Sequence, residues 1–136
     1  MKHQQLNKIY AIILMFAFMP VTLAAQNLNK ISAPNNLENI HLVPLGSSDS
    51  ASEFLIFIKK EVKAHYHQTH TELVYVLAGE ADFWLGENKQ KISTGDFIRI
   101  NQGMVHKVVV TSKQPLKILS IQTPKFNGKD RVYTEQ

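Results

Sequence analysis

Cysteine is absent from the 136-residue chain. Without a thiol the protein can form no disulfide bond, no thiolate metal site and no lipid-modified cysteine anchor. Its hydrophobic residues, 44% of the chain, must therefore hold the fold together without a covalent cross-link. A chain of this length has room for one domain with a single core.

Long hydrophobic runs are also missing, apart from one near the start. Ile9 to Met19 is an unbroken apolar run of 11 residues, and Pro20 ends it. A helix needs about 20 apolar residues to cross a bilayer. The run is therefore too short for an ordinary transmembrane helix.

The residues on either side of this run are those of a secretory signal. Lys2 and Lys8 precede it, and the small residues Ala24 and Ala25 follow it. Positive charge, a short apolar stretch and a small-residue cleavage site together predict a signal peptide over residues 1–25, cleaved after Ala24 or Ala25. We expect an exported protein, periplasmic or secreted, with no stable membrane anchor after cleavage. The alternative is an uncleaved N-terminal anchor.

Arginine and excess charge are scarce as well. Only Arg99 and Arg131 occur, so the signal region has no twin-arginine pair, and we expect export in the unfolded state.

The formal charge is +4 from 15 basic and 11 acidic residues, and removal of Lys2 and Lys8 leaves 13 basic and 11 acidic, or +2. The basic residues are scattered, so we expect no nucleic-acid partner.

A polar N-terminal arm, residues 26–39, follows the predicted signal peptide. Beyond it, short runs rich in β-branched and aromatic residues dominate, and no segment shows the apolar periodicity of a helix. Turn residues separate these runs. The predicted strands are Ile40–Pro44, Glu53–Lys60, Thr71–Ala78, Glu80–Gly86, Lys89–Ile92, Asp96–Ile100, Val105–Val110 and Pro115–Gln122. Short strands without intervening helices predict an all-β fold, a small antiparallel sandwich or barrel over residues 40–122, followed by a C-terminal tail, residues 123–136.

The run from Thr71 to Ala78 is apolar on both faces apart from Glu72. Successive strand residues point to opposite faces, so both faces need a cover. The barrel interior is one cover, and the N-terminal arm or a second copy of the protein is the other; a homodimer is thus predicted as one alternative. A tight turn at Gly79–Glu80 predicts a hairpin in which Val76 faces Phe83, Val74 faces Leu85 and Tyr75 faces Trp84.

Three histidines and a glutamate lie within residues 65–72, where this strand begins. His65 and His67 are two residues apart, so in an extended chain their imidazoles project from one face, about 7 Å apart. A short turn through residues 68–71 can bring the carboxylate of Glu72 beside them. Two histidines and a carboxylate leave coordination positions open, which suits a catalytic or ligand-exchanging metal.

His106 is the fourth candidate ligand. It begins a predicted strand, and its parity puts it on the same face as Val108 and Val110. We expect it to reach the metal from the opposite wall of the barrel.

These residues carry a resemblance to a known family. His65-x-His67-x4-Glu72-x6-Gly79 resembles the first motif of the cupin superfamily, and Gly95-x5-Asn101-x-Gly103-x2-His106 resembles the second. The resemblance covers about Ile40 to Gln122. It implies a double-stranded β-helix, or jelly roll, with a divalent metal ion near one open end, commonly manganese, iron, zinc, nickel or copper. The implied metal ligands are His65, His67, Glu72 and His106.

Three positions depart from the motifs. Lys59 stands where glycine usually opens the first motif, Asn101 replaces a proline, and Val110 replaces a terminal asparagine. These changes affect turns and not ligands. They put loop geometry in doubt more than metal binding.

Other polar residues have simpler interpretations. His3 and His41 are expected to be surface or hydrogen-bonded core histidines, and His70 a solvated residue of the pocket rim or otherwise a spare ligand or proton carrier. Arg99 is expected to be exposed, with anchoring of an anionic ligand as the alternative. Asp130 and Arg131 are expected to form a solvated pair in the C-terminal tail.

A divalent ion in such a site can polarise a carbonyl or acidify a water. Oxygen-dependent cleavage of a chelating organic molecule, isomerisation through an enediolate and metal-assisted hydrolysis all remain open, with His70 or Tyr75 as acid–base candidates. The competing hypotheses are a binding module that captures a sugar or small acid without turnover, and a purely structural dimeric module. Fold alone decides none of these.

Overall fold

A computed structural model of the protein describes residues 25–134. The predicted signal segment, apart from Ala25, and His3 lie outside the described residues. The elements are a short 3-10 helix, η1 (Leu28–Lys30), and ten strands. The strands are β1 (Ile40–Ser47), β2 (Ser52–Ile58), β3 (Glu61–His67), β4 (Thr71–Ala78), β5 (Glu80–Leu85), β6 (Asn88–Ser93), β7 (Phe97–Ile100), β8 (His106–Val110), β9 (Leu116–Thr123) and β10 (Arg131–Tyr133).

The strands form two five-stranded antiparallel sheets. The first has the order β1-β2-β9-β4-β7 and the second the order β10-β3-β8-β5-β6. Consecutive strands thus alternate between sheets at several points, as in a jelly roll. The all-β prediction and the double-stranded β-helix implied by the resemblance are confirmed.

The core lies between the two sheets. In β4 the alternation is as predicted, because Glu72, Val74 and Val76 are buried while Tyr75 on the other face is exposed. The inward-facing residues of the other strands complete the core, and they are almost all β-branched, leucine or phenylalanine. Most of the interior between the sheets is therefore apolar.

The predicted hairpin between β4 and β5 is wrong. β4 pairs with β7 and β9, whereas β5 pairs with β6 and β8, so the two strands belong to different sheets. The chain crosses from one sheet to the other at Gly79, which has φ of 88°. A Cβ there would lie 2.9 Å from the Cα of Leu116, so the crossing needs a glycine for space as well as for its backbone angle.

The N-terminal arm covers the outer face of the first sheet. Its residue Leu37 is buried with Leu55 and Phe57 of β2 in a second, smaller apolar cluster. The buried Lys117 of β9 ties the arm down, because its Nζ donates to the carbonyl oxygens of Leu28 and Ile31 at 2.6 and 2.7 Å. The arm thus covers part of the outer face, which is one of the two alternatives that the sequence left open for this face.

Two strands were missing from the sequence prediction, β3 and β10. β10 lies in the C-terminal tail and pairs with β3, so that Arg131 is opposite His67 and Tyr133 is opposite His65. The described part of the chain contains no helix that is long and apolar enough to cross a membrane.

Candidate metal centre and adjoining cavity

The four predicted ligands come together from three strands. His65 and His67 lie on β3, Glu72 on β4 and His106 on β8. His65 and His106 are cross-strand partners and lie side by side, because β3 and β8 are neighbours in the second sheet. The expectation that His106 comes from the opposite wall is therefore wrong: Glu72, in the first sheet, is the residue that faces the three histidines.

The polar atoms of this cluster are close enough to share one ion. One ring nitrogen from each of the three histidines lies within 4.8 Å of the others. Oε2 of Glu72 lies 3.3 Å from Nε2 of His67 and 3.4 Å from Nε2 of His106. All four side chains are buried, so bulk water does not compete for these atoms.

Two backbone carbonyls determine which nitrogen each of two histidines presents to the centre. Nδ1 of His65 lies 2.8 Å from the carbonyl oxygen of Lys63, and Nδ1 of His106 lies 3.0 Å from that of Met104. A carbonyl oxygen only accepts, so each Nδ1 carries the proton and donates. In the neutral rings Nε2 is then an unprotonated nitrogen whose lone pair is available to a metal.

This tautomer leaves the centre rich in lone pairs. Nε2 of His106 faces a carboxylate oxygen of Glu72, and two acceptors repel at that distance unless a proton or cation lies between them. Nitrogen and carboxylate oxygen without thiolate form a donor set suited to zinc, copper, nickel, iron or manganese. The residues present thus fit a divalent metal ion.

Glu72 is held as a carboxylate. Burial by itself raises its pKa, but contacts with His106 and His67 and a hydrogen bond from Ser120 outweigh burial and hold the pKa well below its usual range. Oγ of Ser120 in β9 donates to Oε1 of Glu72, which leaves Oε2 to face the histidines. A buried carboxylate at neutral pH supplies the negative charge that a cation site requires.

His65 is held neutral. Burial is the largest cause that lowers the pKa of His65, which falls to about 4. The positive charges that His106, Arg131 and His67 can carry lower it further, and the hydrogen bond to Lys63 opposes the shift. A neutral imidazole is the form that binds a metal. His65 is thus ready to act as a ligand without first losing a proton.

Beyond the four predicted residues, Asp130 is a residue of the site that sequence reasoning missed. Its Oδ2 lies 3.2 Å from Nδ1 of His67, on the side of the ring away from Glu72. Asp130 also contacts Nδ1 of His70 and accepts hydrogen bonds from the backbone N and Oγ1 of Thr69, at 2.7 and 2.6 Å. Burial raises its pKa, but the hydrogen bonds from Thr69 and His70 prevail and lower it. The expectation of a solvated pair with Arg131 is wrong, because Asp130 is 3% exposed.

His70 is not solvated either. It is fully buried between Asp130 and the carbonyl oxygen of Lys125, which lies 2.8 Å from its Nε2. Burial by itself lowers its pKa, but the hydrogen bonds to Lys125 and Asp130 outweigh burial and raise it. With both ring nitrogens in contact with oxygens of the C-terminal tail, His70 joins that tail to β4. No motif links these residues in the sequence, so only their contact in space reveals them.

An apolar cavity adjoins the cluster. It has about 680 Å³ of empty space, including its opening to solvent, and lies between the two sheets. His65, Glu72 and His106 form part of its wall, and apolar side chains such as Ile56, Phe83 and Val108 form most of the rest. A concave, mostly apolar wall with a few polar groups is typical of small-molecule sites.

The two arginines have opposite placements. Arg99 is exposed on β7, where its Nε donates to Oδ1 of Asn101 at 3.0 Å, outside the cavity. Arg131 lines the cavity. The simpler interpretation of Arg99 thus agrees with its exposure. His41 is likewise exposed, with its ring 6.4 Å from that of Phe57.

Comparisons with known proteins agree with this architecture. An uncharacterized protein of Aquifex aeolicus is 35% identical over 100 residues, covering 74% of this chain and 82% of that protein. Quercetin 2,3-dioxygenase of Bacillus subtilis is 24% identical over 74 residues, which cover 51% of this chain and 22% of that enzyme. A solved structure of a Klebsiella pneumoniae protein with a double-stranded β-helix domain has a TM-score of 0.69 at 16% identity and covers 82% of this chain and 97% of that one.

The family comparison covers the strands that build the cluster. Residues 55–122 match the sequence model of the Cupin domain family. This range includes β3, β4 and β8 and therefore all four predicted ligands. The chain belongs to the cupin family.

Proposed function

We propose that the protein is a metal-dependent cupin enzyme of the dioxygenase or isomerase type, acting on a small organic molecule that can chelate the metal ion. One observation carries the proposal: Nε2 of His106 and Nε2 of His67 both lie within 3.4 Å of Oε2 of Glu72, in a buried centre where His65 is also held neutral. A divalent cation satisfies all of these acceptors at once.

The chain's own residues would divide the work of such a site. His65, His67, Glu72 and His106 would hold the ion, and the backbone carbonyls of Lys63 and Met104 orient two of the imidazoles. When bound, the ion supplies a Lewis acid that polarises an oxygen of a chelated molecule. The apolar wall of the cavity excludes water from that molecule and positions its body.

The similarity to quercetin 2,3-dioxygenase favours the oxygenase type. That enzyme's name describes oxidation of a small organic molecule, and this chain spans 22% of its length. The similarity thus supports a related site without identifying the same substrate.

Elemental analysis of the protein as purified from its native export pathway tests the metal. We expect about one divalent ion per chain in the wild type and loss of that ion in the His65→Ala, His67→Ala double variant. His41→Ala is the matched control, because His41 is exposed and outside the cluster. Metal content that is absent from the wild type, or equal in all three proteins, would refute the proposal.

A turnover screen then tests the reaction. Chelating diols, keto acids and catechols are supplied to the metal-loaded protein with and without oxygen, and consumption is followed by mass spectrometry. We expect one of these classes to be consumed by the wild type and not by the double variant.

A binding module without turnover is the second candidate. The apolar character of the cavity favours it, since beyond the proposed ligands only Lys107 and Arg131 contribute ionisable groups to the wall among the described residues. This candidate predicts that a small ligand raises the thermal midpoint and is recovered unchanged. Consumption of that ligand would contradict it.

The proposal includes export, which depends on residues 1–25 alone. Mass spectrometry of the protein recovered from outside the cytoplasm should give a chain that begins after Ala24 or Ala25. Recovery of a chain that still starts at Met1 would contradict the signal-peptide interpretation.

A further inference from the structure

Arg131 is a cation at the wall of an apolar cavity. It lies on β10 opposite His67 of β3, and its side chain lines the cavity together with His65 and His106. Its positive charge is close enough to His65 to contribute to the lowered pKa of that imidazole. Arg131 therefore belongs to the same end of the cavity as the proposed metal ligands.

The guanidinium of Arg131 has no anionic partner within the part of the chain that the structure describes. Its Nε is buried and makes no hydrogen bond there, and its neighbour Asp130 is committed to His67, His70 and Thr69. A buried donor without an acceptor is costly, and an arginine carries five N–H donors in a planar fork. A ligand bound in the cavity can therefore supply the hydrogen-bond acceptor that Arg131 lacks.

The geometry of that fork narrows the chemistry of the ligand. A carboxylate presents two oxygens at the spacing of two parallel guanidinium N–H groups, whereas a hydroxyl or an amide oxygen accepts at one point only. The rest of the cavity wall, with residues such as Ile58, Phe83 and Ile100, offers apolar contacts to the body of the molecule.

We propose that Arg131 is a specificity-determining residue that binds the carboxylate of a small organic acid whose apolar body fills the cavity beside the metal ligands. The inference rests on the proposed function, because it names the substrate class of the same site. The pairing of a carboxylate with Arg131 does not itself require a metal ion.

Matched pairs of acids and amides test the inference. Benzoate and benzamide, and cyclohexanecarboxylate and its amide, have the same bodies and differ in charge. Dissociation constants are measured by calorimetry for the protein as purified and after treatment with a chelator, so that coordination to an ion does not obscure the comparison. We expect the wild type to bind at least one acid about tenfold or more tightly than its amide in both states, as a charged hydrogen-bonded pair requires.

Variants locate the effect. Arg131→Gln should abolish the preference for the acid, and Arg131→Lys should retain only part of it, because lysine keeps the charge and loses the fork. Arg99→Gln is the control and should behave as the wild type, since Arg99 is exposed outside the cavity. Near-UV circular dichroism confirms that each variant is folded.

Two outcomes would overturn the inference: a wild type that binds no acid better than its amide, or a preference that persists in folded Arg131→Gln. Failure of the proposed function is distinguishable from both. If the protein holds no metal but the chelator-treated wild type prefers the acid through Arg131, the metal proposal fails and the carboxylate site stands.

Discussion

Asp130 and His67 lie in contact, with Oδ2 of the carboxylate 3.2 Å from Nδ1 of the imidazole, although they come from the C-terminal tail and from β3. The other nitrogen of the same ring faces Glu72 at 3.3 Å. His67 thus stands between two carboxylates, whereas His65 and His106 each have a backbone carbonyl behind them. A carboxylate behind a ligand histidine orients the ring and raises its basicity.

The first prediction concerns Asp130. Asp130→Asn keeps the size of the side chain and removes its charge, so we expect affinity for Zn²⁺ to fall about 10- to 100-fold, the usual effect of losing such a partner. Competition with a fluorescent chelator measures it. Asp49→Asn, at an exposed aspartate, is the control. Unchanged affinity together with a lower thermal midpoint would mean that Asp130 only stabilises the fold.

The second prediction concerns pH and metal-free protein. The pKa of His65 is about 4 in the folded state and about 6.5 in the unfolded chain, so the unfolded state binds more protons between these values. The contribution of His65 to the free energy of unfolding therefore has its full value above pH 6.5. It falls as the pH is lowered toward 4, by up to about 3 kcal/mol. Urea titrations at pH 6.5 and pH 4.5 measure the change.

His65→Asn tests the assignment of that pH dependence. The asparagine amide can still donate to the carbonyl oxygen of Lys63 but does not titrate. We expect the variant to lose less stability than the wild type between pH 6.5 and pH 4.5. An equal loss in both proteins would show that the dependence comes from groups other than His65.

The third prediction concerns the N-terminal arm. Lys117→Met removes two hydrogen bonds to arm carbonyl oxygens and the contact of Nζ with the ring of Phe57, 5.4 Å from its centroid. We expect the free energy of unfolding to fall by about 1–3 kcal/mol and the arm to become more sensitive to protease. Lys113→Met, at an exposed lysine, should change neither. Equal protease sensitivity of the arm in both variants would contradict this role.

The fourth prediction is the homodimer. Tyr75 of β4 and Phe97 of β7 are directly paired, and they are 41% and 63% exposed on the outer face of the first sheet, which the arm does not cover at this position. If this face is the interface, light scattering at micromolar concentration should give twice the chain mass, and Phe97→Glu should give a monomer. Met104→Glu, at another exposed apolar residue, is the control. A monomeric wild type would contradict the prediction.

Local patterns explain which parts of the fold were predictable. Period-two alternation predicted the observed bounds of β4 and the buried position of Glu72, because successive strand residues point to alternate faces. The same rule placed His65 and His67 together. β3 was missed because Glu61, Lys63 and the histidines dilute its apolar signal, and β10 because three residues are too short for a pattern.

Non-local pairing explains the errors. The predicted hairpin assumed that strands adjacent in the sequence pair with each other, but β4 and β5 lie in separate sheets. The same crossing pattern makes β8 a neighbour of β3, which brings His106 beside His65 instead of opposite it. Neither result follows from spacing along the chain, because strand order depends on how the whole sheet closes.

By itself, the sequence determined that the domain is all-β, which faces of its strands are apolar, and which four side chains are suited to a metal; each follows from residue chemistry and from alternation over a few positions. The tertiary structure alone decided that Asp130 and His70 pack behind the cluster, that Arg131 and not Arg99 lines the cavity, and that Glu72 faces the histidines across the core. The reason is physical: burial and pairing of a charged group depend on residues far away in the chain, and only the closed pair of sheets brings those residues into contact.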